Sequence, residues 1–587
     1  MLGIRSAQRG LLEADHVYLD HVGHHTFYGF LASMRGQLFG DEEFAELYCR
    51  DNGRNSVPPS LLATALLLQA HDRVGDEEAK QRADFDIRWK VALGIAVEDR
   101  PFAKSTLQLF RAQLIIHDKV RAVFERSLRY ARETGYLKGR KMKVALDTTY
   151  VLGRGAVKDT YNLLADGIVQ VARVLARLEG KLPKGWAGGH GLEIYFGSSL
   201  KGEAAIDWDD VKKRRALLGK IVADADRVLE LARQAQGRFS KDSPYRKSIV
   251  EAADLLGQLL LQDVERTEDG PALKEGVSRD RAPSVHDPEM RHGRKSSSTR
   301  FDGHKAAVAV DTDSQLVTAA AVLPGNASDN TSALELVNES EANSGAEVSE
   351  TIGDAAYGDG VTRQAFADAQ RTLIAKVPGR PRGVRFPKED FKIDLEAGTC
   401  TCPGGQVTRR ARTVTTRTNR SGQAHRTRAF YFHGETCRAC PLRPRCVAAK
   451  DGRGRTIALH PQEALLQQAR ALQKSAAFEE YRCRRQVAEH RLARLVQLGI
   501  RQSRYFGRAK TLFQVLLAAT VANLTVVASK LGLMGKRIGK HASVHPTSLG
   551  KQQGVALNLT TLLRRLLSLV SLHPQPCIPA WGFRPGF

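Results

Sequence analysis

The chain has 587 residues, enough for several domains and a substantial buried core, and its hydrophobic content of 42% is ordinary for a soluble protein. It carries 89 Lys and Arg against 64 Asp and Glu, a formal charge of +25 with a pI near 9.8. This excess is untypical of a metabolic enzyme, and it favours a polyanionic partner over a merely cationic surface. The imbalance is concentrated in residues 401–450, where eleven basic residues stand against one acid, as in a phosphate-binding surface.

The N-terminal part of the chain is predicted to be helical. Its first residues, MLGIRSAQRGLLEADH, lack an apolar segment followed by a small-residue cleavage site, so we expect a cytoplasmic protein without a secretory signal. Helical periodicity then predicts a helical N-terminal DNA-binding domain over residues 1–138, with helices at 57–71, 76–93 and 105–135. The link DRVGD between the first two helices is compatible with a helix-turn-helix and equally with a plain bundle.

A strand at 141–147 follows and ends in Asp147. The next interval, about 160–265, contains three helical patterns with apolar residues at three- and four-residue spacing. Such a set is predicted to pack on itself as a helical insertion.

The segment after this insertion returns to a strand pattern. Residues 304–325 have period-two apolar stretches, which predict a hairpin about the sequence TDSQ with Asp311 and Asp313 as turn residues. A helix, a strand that ends in Asp354, another helix and a last strand are predicted next. With the insertion removed, this order is that of the ribonuclease H-like fold, an α/β core whose mixed sheet is flanked by helices. We assign this core to residues 139–378 and 461–535.

Two carboxylates are predicted to meet at one edge of this sheet. If the strands that end in Asp147 and Asp354 are neighbours, the two groups repel each other unless a cation lies between them. A third acid is expected from the helix at 478–499, where Glu489 is favoured over Glu479 and Glu480 because acids near a helix start need no further role. Two aspartates and a glutamate around two Mg²⁺ or Mn²⁺ ions form a phosphoryl-transfer site.

Other polar residues of these segments are expected to have structural roles. Asp159 precedes a helix, and N-capping is favoured over metal binding for it. Asp359 lies between two glycines and is interpreted as a turn residue, while Asn326 and Asp329 in GNASDN are interpreted as loop and cap residues.

Five cysteines fall in a basic cysteine-rich insertion predicted over residues 379–460. Short-spaced cysteines on two knuckles that are separated by 34 residues are typical of a structural zinc site, and we favour zinc over the alternative of reduced structural thiols. Four ligands are needed and five thiols are present. The candidate zinc ligands are Cys400, Cys402, Cys437, Cys440 and Cys446.

The last segments are predicted from their hydropathy. Residues 511–529 carry no charge, but polar side chains interrupt the run and lysines flank it, which favours a buried core helix over a membrane span. Residues 536–587 lose the periodic pattern and are predicted to form a poorly ordered tail.

Several motifs together resemble a known family, the bacterial insertion-sequence DDE transposases with an InsH-like N-terminal domain. The resemblance covers most of residues 15–532. The motifs that carry it are SVPPSLLATALLLQA, LDTTYVLGRGAVKDTYNLL, RFDGHKAAVAVD, VLPGNASDN, GDAAYGDGVTR and the spacing of Tyr481, Arg485 and Glu489 on one helix.

The resemblance implies a function and a site. Asp147, Asp354 and Glu489 become the catalytic metal-binding triad for two Mg²⁺ or Mn²⁺ ions. The candidate DNA contacts are Tyr481, Arg485, Lys305 and Arg494. Val496 stands where the family has a lysine, so Arg494 or Arg501 is the expected substitute.

The implied partners are double-stranded DNA at terminal inverted repeats and at a target site, and a second copy of the chain in a homodimer or larger DNA complex. No membrane partner is implied, and a nucleoid-associated cytoplasmic protein is expected. The alternatives are a metal-dependent nuclease, a catalytically inactive DNA-binding regulator and, less favoured, a tyrosine recombinase.

Overall fold

The computed structural model describes residues 1–6, 12–50, 52–117, 119–296, 298–379, 385–417, 424–448 and 452–534. All the described residues fall in one compact unit. The predicted tail at 536–587 lies outside the described residues.

The N-terminal part is helical, as predicted, but two of the predicted helices are each divided in two. Asp86 interrupts the first of them, because its side chain accepts a hydrogen bond from the Arg88 N–H and so begins a new helix. The helices of this part are α1 (Ala14–Val22), α2 (Phe27–Leu38), α3 (Pro59–Asp72), α4 (Asp76–Phe85), α5 (Ile87–Leu93), α6 (Lys104–Ile116) and α7 (Ala122–Glu133).

A mixed sheet lies at the centre of the described chain. Its members are β1 (Lys141–Leu152), β4 (Arg291–Arg294), β5 (Arg300–Asp311), β6 (Val317–Pro324), β7 (Glu347–Gly353) and β8 (Leu373–Ala375). The strand order is β4-β5-β1-β7-β8, and β6 also pairs with β5. β1 is antiparallel to β5 and parallel to β7, which is in turn parallel to β8. The predicted hairpin is confirmed, since β5 and β6 are antiparallel neighbours.

Helices cover this sheet. One face buries Val144 and Leu146 of β1 against α13 (Ala333–Ser344) and the segment that contains α14 (Gly360–Asp368). The other face buries Ala145 and Val151 in a core shared with the N-terminal helices. This alternation is the period-two pattern that the sequence of β1 displays.

The predicted insertion packs on itself. Its helices are α8 (Thr160–Leu178), α9 (Pro183–Gly188), α10 (Leu200–Glu203), α11 (Val211–Gln236) and α12 (Pro244–Asp263), followed by the hairpin β2 (Val264–Thr267) and β3 (Gly270–Leu273). Its buried apolar residues, from Tyr161 to Val285, form a hydrophobic cluster of their own. The predicted N-cap is also confirmed, because Asp159 accepts hydrogen bonds from the N–H groups of Tyr161 and Asn162.

The cysteine-rich segment contains two small sheets, β11-β10-β9 and β12-β13-β14. Its elements are β9 (Lys392–Asp394), β10 (Thr399–Thr401), β11 (Val407–Thr408), β12 (Ala411–Arg417), β13 (Ala424–Tyr431), the short helix α15 (Gly434–Arg438) and β14 (Thr456–Ala458).

The last described helices return to the central sheet. They are α16 (Glu463–Gln473), α17 (Ala477–Leu495) and α18 (Arg508–Lys530). By length and composition α18 could cross a membrane, but 83% of its most apolar window is buried inside the protein, which confirms the predicted core helix. A π-helical turn at Val496–Ile500 follows α17 and includes Gly499 at a φ of +97°.

Candidate active site

The two predicted aspartates lie on neighbouring parallel strands. The last paired residues of β1 and β7 are Ala145 and Ile352, so two residues further along each strand Asp147 comes beside Asp354. Neighbouring strands lie about 4.8 Å apart, which brings the two carboxylates to the same place on the sheet.

One detail of the prediction is wrong. Asp147 does not end its strand, because β1 continues to Leu152 by pairing with β5. Asp147 instead marks the point at which β1 extends past β7, and Asp354 directly follows β7. Asp354 therefore lies at the end of its strand, as expected, whereas Asp147 lies within β1, which continues beyond the end of β7.

Asp354 is held in place by its own backbone. It begins a 3-10 turn at Ala355–Tyr357, and its Oδ1 accepts a hydrogen bond of 2.8 Å from the Ala356 N–H. Asp147 Oδ1 accepts a bond of 2.8 Å from the Thr148 N–H. In each carboxylate one oxygen is thus engaged by the backbone.

Helix α17 contributes the third acid. Tyr481, Arg485 and Glu489 follow one another at intervals of four residues and so share a face of α17, a helix that contacts β1. Arg485 Nη2 lies 2.5 Å from Glu489 Oε1, and the Glu489 side chain is 47% exposed. The rivals Glu479 and Glu480 are paired with Arg482 and Arg484 on the exposed surface instead.

The charges of these residues act on one another. Burial is the largest cause that raises the pKa of Asp147, to about 6, and the charges of Asp354 and Glu489 raise it further. The Thr148 N–H and the charge of Arg485 lower it. Asp147 therefore lies among carboxylates whose mutual repulsion is not fully compensated by protein cations.

This donor set suits a hard divalent cation. It offers carboxylate oxygens only, which are the ligands that Mg²⁺ and Mn²⁺ prefer. A cation between Asp147 and Asp354 would relieve the repulsion that raises the pKa of Asp147.

Another group of side chains in the described part of the chain has the spacing of a metal site. The possible ligand atoms of Glu13, Asp15 and His16 lie within 4.8 Å of one another, and those of the three predicted acids and of the cysteines do not. However, Asp15 is buried and its Oδ2 lies 2.6 Å from Arg35 Nη2. We assign this group to a structural ion-pair network.

The other candidate DNA contacts have partners within the protein. The Tyr481 hydroxyl donates to Glu350 Oε1 at 3.2 Å, and Tyr481 lies two helical turns from Glu489. Lys305 Nζ donates to Asp329 Oδ1 at 2.6 Å. Arg494 donates to Gln497 Oε1 at 3.3 Å.

The expected substitutes for the missing lysine are also engaged. The Arg501 guanidinium lies 3.7 Å from the centre of the Tyr150 ring and donates to the Tyr150 carbonyl at 2.6 Å. Arg501 therefore ties the segment after α17 to β1. Val496 begins the π-helical turn, where its side chain packs against the main core.

Remaining polar residues of the core have the structural roles that the sequence indicates, with one refinement. Asp311 accepts from the Ser314 N–H in the hairpin turn. Asp359 is an N-cap and not simply a turn residue, because it accepts from the Val361 and Thr362 N–H groups at the start of α14. Asn326 donates to the Arg279 carbonyl.

The five cysteines are separated into a buried one and a group of four. Cys400 lies on β10, is fully buried and packs against the aromatic cluster of Phe391, Phe430 and Phe432. Burial raises its pKa to about 11, so it is an unreactive thiol.

The remaining four thiols lie close to one another. Burial is the largest cause that raises the pKa of Cys446, and negative charge on Cys437, Cys402 and Cys440 would raise it further. Gly404 leaves room between two of them: a Cβ at Gly404 would lie 3.4 Å from the Cys440 Sγ and 3.7 Å from the Cys402 Sγ.

Two regions of the chain match protein-family models. The transposase DDE domain matches residues 401–528, and the transposase domain DUF772 matches residues 19–113. Both matches support an insertion-sequence DDE transposase. No curated protein and no solved structure matches the chain.

The two matches cover separate parts of the chain. The first contains Glu489 and all the cysteine-rich residues from 401 onward, and the second contains α2 to α5 and most of α6. Neither match includes Asp147 or Asp354. These two residues are candidates because the register of β1 and β7 puts them side by side and because their charges act on each other.

Proposed function

We propose that this chain is a DNA transposase that binds the terminal inverted repeats of its own mobile element, cuts at their ends and joins the freed 3′ ends to target DNA. The observation that carries the proposal is the register of β1 and β7, which brings Asp147 beside Asp354 under the face of α17 that bears Glu489. The two transposase matches and the charge of +25 support a DNA substrate.

The core that holds these acids is proposed to be ribonuclease H-like. In support, β1, β5 and β6 form an antiparallel meander, β7 and β8 are parallel to β1, and β1 lies in the middle of the sheet. A central first strand flanked by a hairpin and by two parallel strands is the arrangement that the sequence order predicts for this fold.

Asp147, Asp354 and Glu489 would hold two Mg²⁺ or Mn²⁺ ions. Bound ions would help generate a nucleophile from water or a 3′-hydroxyl and would stabilise the leaving oxygen. The chain's own contribution is to orient the ligands: the Thr148 and Ala356 N–H groups fix one oxygen of each aspartate, and Arg485 orients Glu489.

The proposed DNA-binding surface includes the cysteine-rich segment. Arg426 and Arg428 lie two residues apart on β13 and therefore on the same face, opposite Thr415 and Thr413 of β12. The exposed arginines among the described residues of the segment are Arg385, Arg409, Arg410, Arg412, Arg426, Arg428, Arg438, Arg445 and Arg453. Such a surface suits the DNA backbone, since phosphate contacts give affinity without reading sequence.

One structural zinc is proposed for the same segment. Its ligands would be Cys402, Cys437, Cys440 and Cys446, because negative charge on the first three acts on Cys446, whereas Cys400 is the fully buried one of the five. Four thiolates are a usual structural zinc set. Bound zinc would link Cys402, which follows β10, to α15, which carries Cys437.

The chain is further proposed to act as a homodimer or larger assembly on DNA, in the cytoplasm and on the nucleoid. Two ends of an element must be cut and joined together, which requires two active sites.

The experiment compares Asp147→Asn, Asp354→Asn and Glu489→Gln on DNA that carries the sequences flanking the gene. Each variant removes a negative charge that a divalent ion needs and retains size and hydrogen bonding. All three are expected to bind this DNA and to fail to cleave or join it with Mg²⁺ or Mn²⁺. Asp159→Asn is the control, since Asn is an equally good N-cap and activity should persist.

The outcomes separate the alternatives. Cleavage near the wild-type rate by the Asp147 or Asp354 variant would refute the site. Cleavage of unrelated DNA without strand joining by the wild-type protein would identify a nuclease, and binding without any cleavage would identify a regulator.

A further inference from the structure

Tyr357 carries a buried hydroxyl group that the protein leaves without a partner. The residue ends the 3-10 turn that begins after Asp354, and its side chain is 1% exposed. Its hydroxyl oxygen has no hydrogen-bond partner in the described part of the chain. An unpaired buried hydroxyl destabilises the fold, and buried polar groups are nearly always paired.

The phenol ring is fixed in place by close packing. Gly353 at the end of β7 lies against the ring, so that a Cβ there would come within 2.8 Å of the Tyr357 Cβ and Cγ. The ring also belongs to the apolar cluster under the sheet, with Leu146 and Phe366. The hydroxyl therefore has little freedom to turn away towards another partner.

Three carboxylates lie near the turn that carries this hydroxyl: Asp354 begins the turn, Asp147 is beside Asp354 on the neighbouring strand, and Asp329 begins a second turn in contact with it. Burial is the largest cause that raises the pKa of Tyr357 far above its ordinary value, followed by the charges of Asp147, Asp329 and Asp354. Asp329 begins a second 3-10 turn, Asp329–Ser332, which packs directly on the turn that contains Tyr357.

Each of the three carboxylates has one oxygen engaged elsewhere. Oδ1 accepts from the Thr148 N–H in Asp147, from the Ala356 N–H in Asp354 and from the Lys305 ammonium group in Asp329. The second oxygen of each accepts no hydrogen bond within the described residues. A donor and several acceptors are thus close together without being joined.

We propose that Tyr357 is a positioning residue, whose hydroxyl would donate a hydrogen bond to a carboxylate of the proposed divalent-cation site. The proposal rests on the function proposed above. A hydrogen bond to a metal-binding carboxylate fixes its orientation, and loss of such a bond commonly weakens metal affinity or activity about 10–100-fold. The buried hydroxyl would then be a donor that the chain holds in place for this site.

The test uses Tyr357→Phe in the full chain, with Mn²⁺ as the probe. Without metal, the variant should melt at the same temperature as the wild type or higher, because the substitution removes an unpaired hydroxyl and keeps the ring. Its Mn²⁺ affinity, measured by electron paramagnetic resonance, should fall about 10–100-fold. The Mn²⁺ concentration needed for half-maximal DNA cleavage should rise in parallel.

Tyr195→Phe is the matched control. The Tyr195 side chain is also buried, but its hydroxyl donates to Asp224 Oδ2 at 2.7 Å within the helical insertion. This variant should lose stability and keep the wild-type Mn²⁺ affinity, which is the opposite of the result expected for Tyr357→Phe.

Unchanged Mn²⁺ affinity in Tyr357→Phe would overturn the proposal, and so would a clear loss of stability in the absence of metal. If Asp147→Asn and Asp354→Asn lose Mn²⁺ and Tyr357→Phe does not, only the role of Tyr357 is wrong. If the two aspartate variants also bind Mn²⁺ like the wild type, the proposed cation site itself is wrong.

Discussion

Asp147→Asn should stabilise the protein when no divalent cation is present. The pKa of Asp147 is about 6 in the folded chain against an ordinary value of 3.8, because the carboxylate is buried beside Asp354 and Glu489. This difference corresponds to about 3 kcal/mol. A carboxyl group whose pKa is raised by folding does not destabilise the folded state at a pH below its unfolded-state pKa. Its destabilising effect grows as the pH rises from the unfolded-state pKa to the folded-state pKa. Ionised Asp147 therefore destabilises the fold above about pH 6 by up to this amount.

The assay is thermal or urea unfolding in EDTA, followed by a signal from the central sheet. At about pH 7.5 the Asn variant should be the more stable protein, and most of the difference should disappear by about pH 3, where the carboxyl group is largely protonated in both states. Added Mg²⁺ should stabilise the wild type more than the variant. Asp159→Asn is the control and should show no such gain, because Asp159 is the N-cap of α8 in the helical insertion. Equal stability of Asp147→Asn and the wild type at about pH 7.5 would refute the electrostatic argument.

Three further predictions concern other parts of the molecule. Cys440→Ser should release about one zinc per chain, measured by metal analysis, whereas Cys400→Ser should retain it; loss in both or in neither contradicts the proposed ligand set. DNA affinity should fall steeply with salt, and replacing Arg426 and Arg428 together with Gln should reduce the slope of log affinity against log salt by about 2; an unchanged slope means that these side chains do not contact phosphate. Asn523→Leu should lower the melting temperature through a loss of about 2 kcal/mol, because it leaves the Val317 N–H and carbonyl unpaired in the core; an unchanged melting temperature would mean that these groups find other partners.

The order of strands and helices in the core could be predicted from periodicity alone, and the ends of elements could not. The run of apolar residues at 141–147 predicts a strand that stops at Asp147, but antiparallel pairing with β5 extends it to Leu152. That extension includes Thr148, Thr149 and Tyr150. Their pairing depends on β5, which begins at Arg300, 148 residues after β1 ends at Leu152. The break between α4 and α5 was not predicted for a local reason, because the cap at Asp86 begins a new helix.

The candidate site shows the same division between local and distant information. Helical spacing and the macrodipole argument favour Glu489 over Glu479 and Glu480. All three acids are exposed and paired with arginines, so the choice of Glu489 stays a prediction. The sequence offers five cysteines without a basis for choosing four, because the burial of Cys400 in the aromatic cluster is visible only in three dimensions. Only the three-dimensional position of its hydroxyl distinguishes Tyr357 from an ordinary core tyrosine.

The most apolar helix explains how the N-terminal helices are joined to the sheet that carries the acids. Asn523 is fully buried in the middle of α18, a polar residue that a membrane span would not favour. Its side chain accepts from the Val317 N–H and donates to the Val317 carbonyl, so it satisfies a strand edge that would otherwise be unpaired. The same amide lies 3.5 Å from the Ser127 hydroxyl on α7.

One side chain therefore connects β6, α18 and α7, in agreement with the single hydrophobic cluster that extends from Phe27 to Ala528. Because packed cores resist continuous deformation, the N-terminal helices and the sheet that carries Asp147 and Asp354 form one rigid unit.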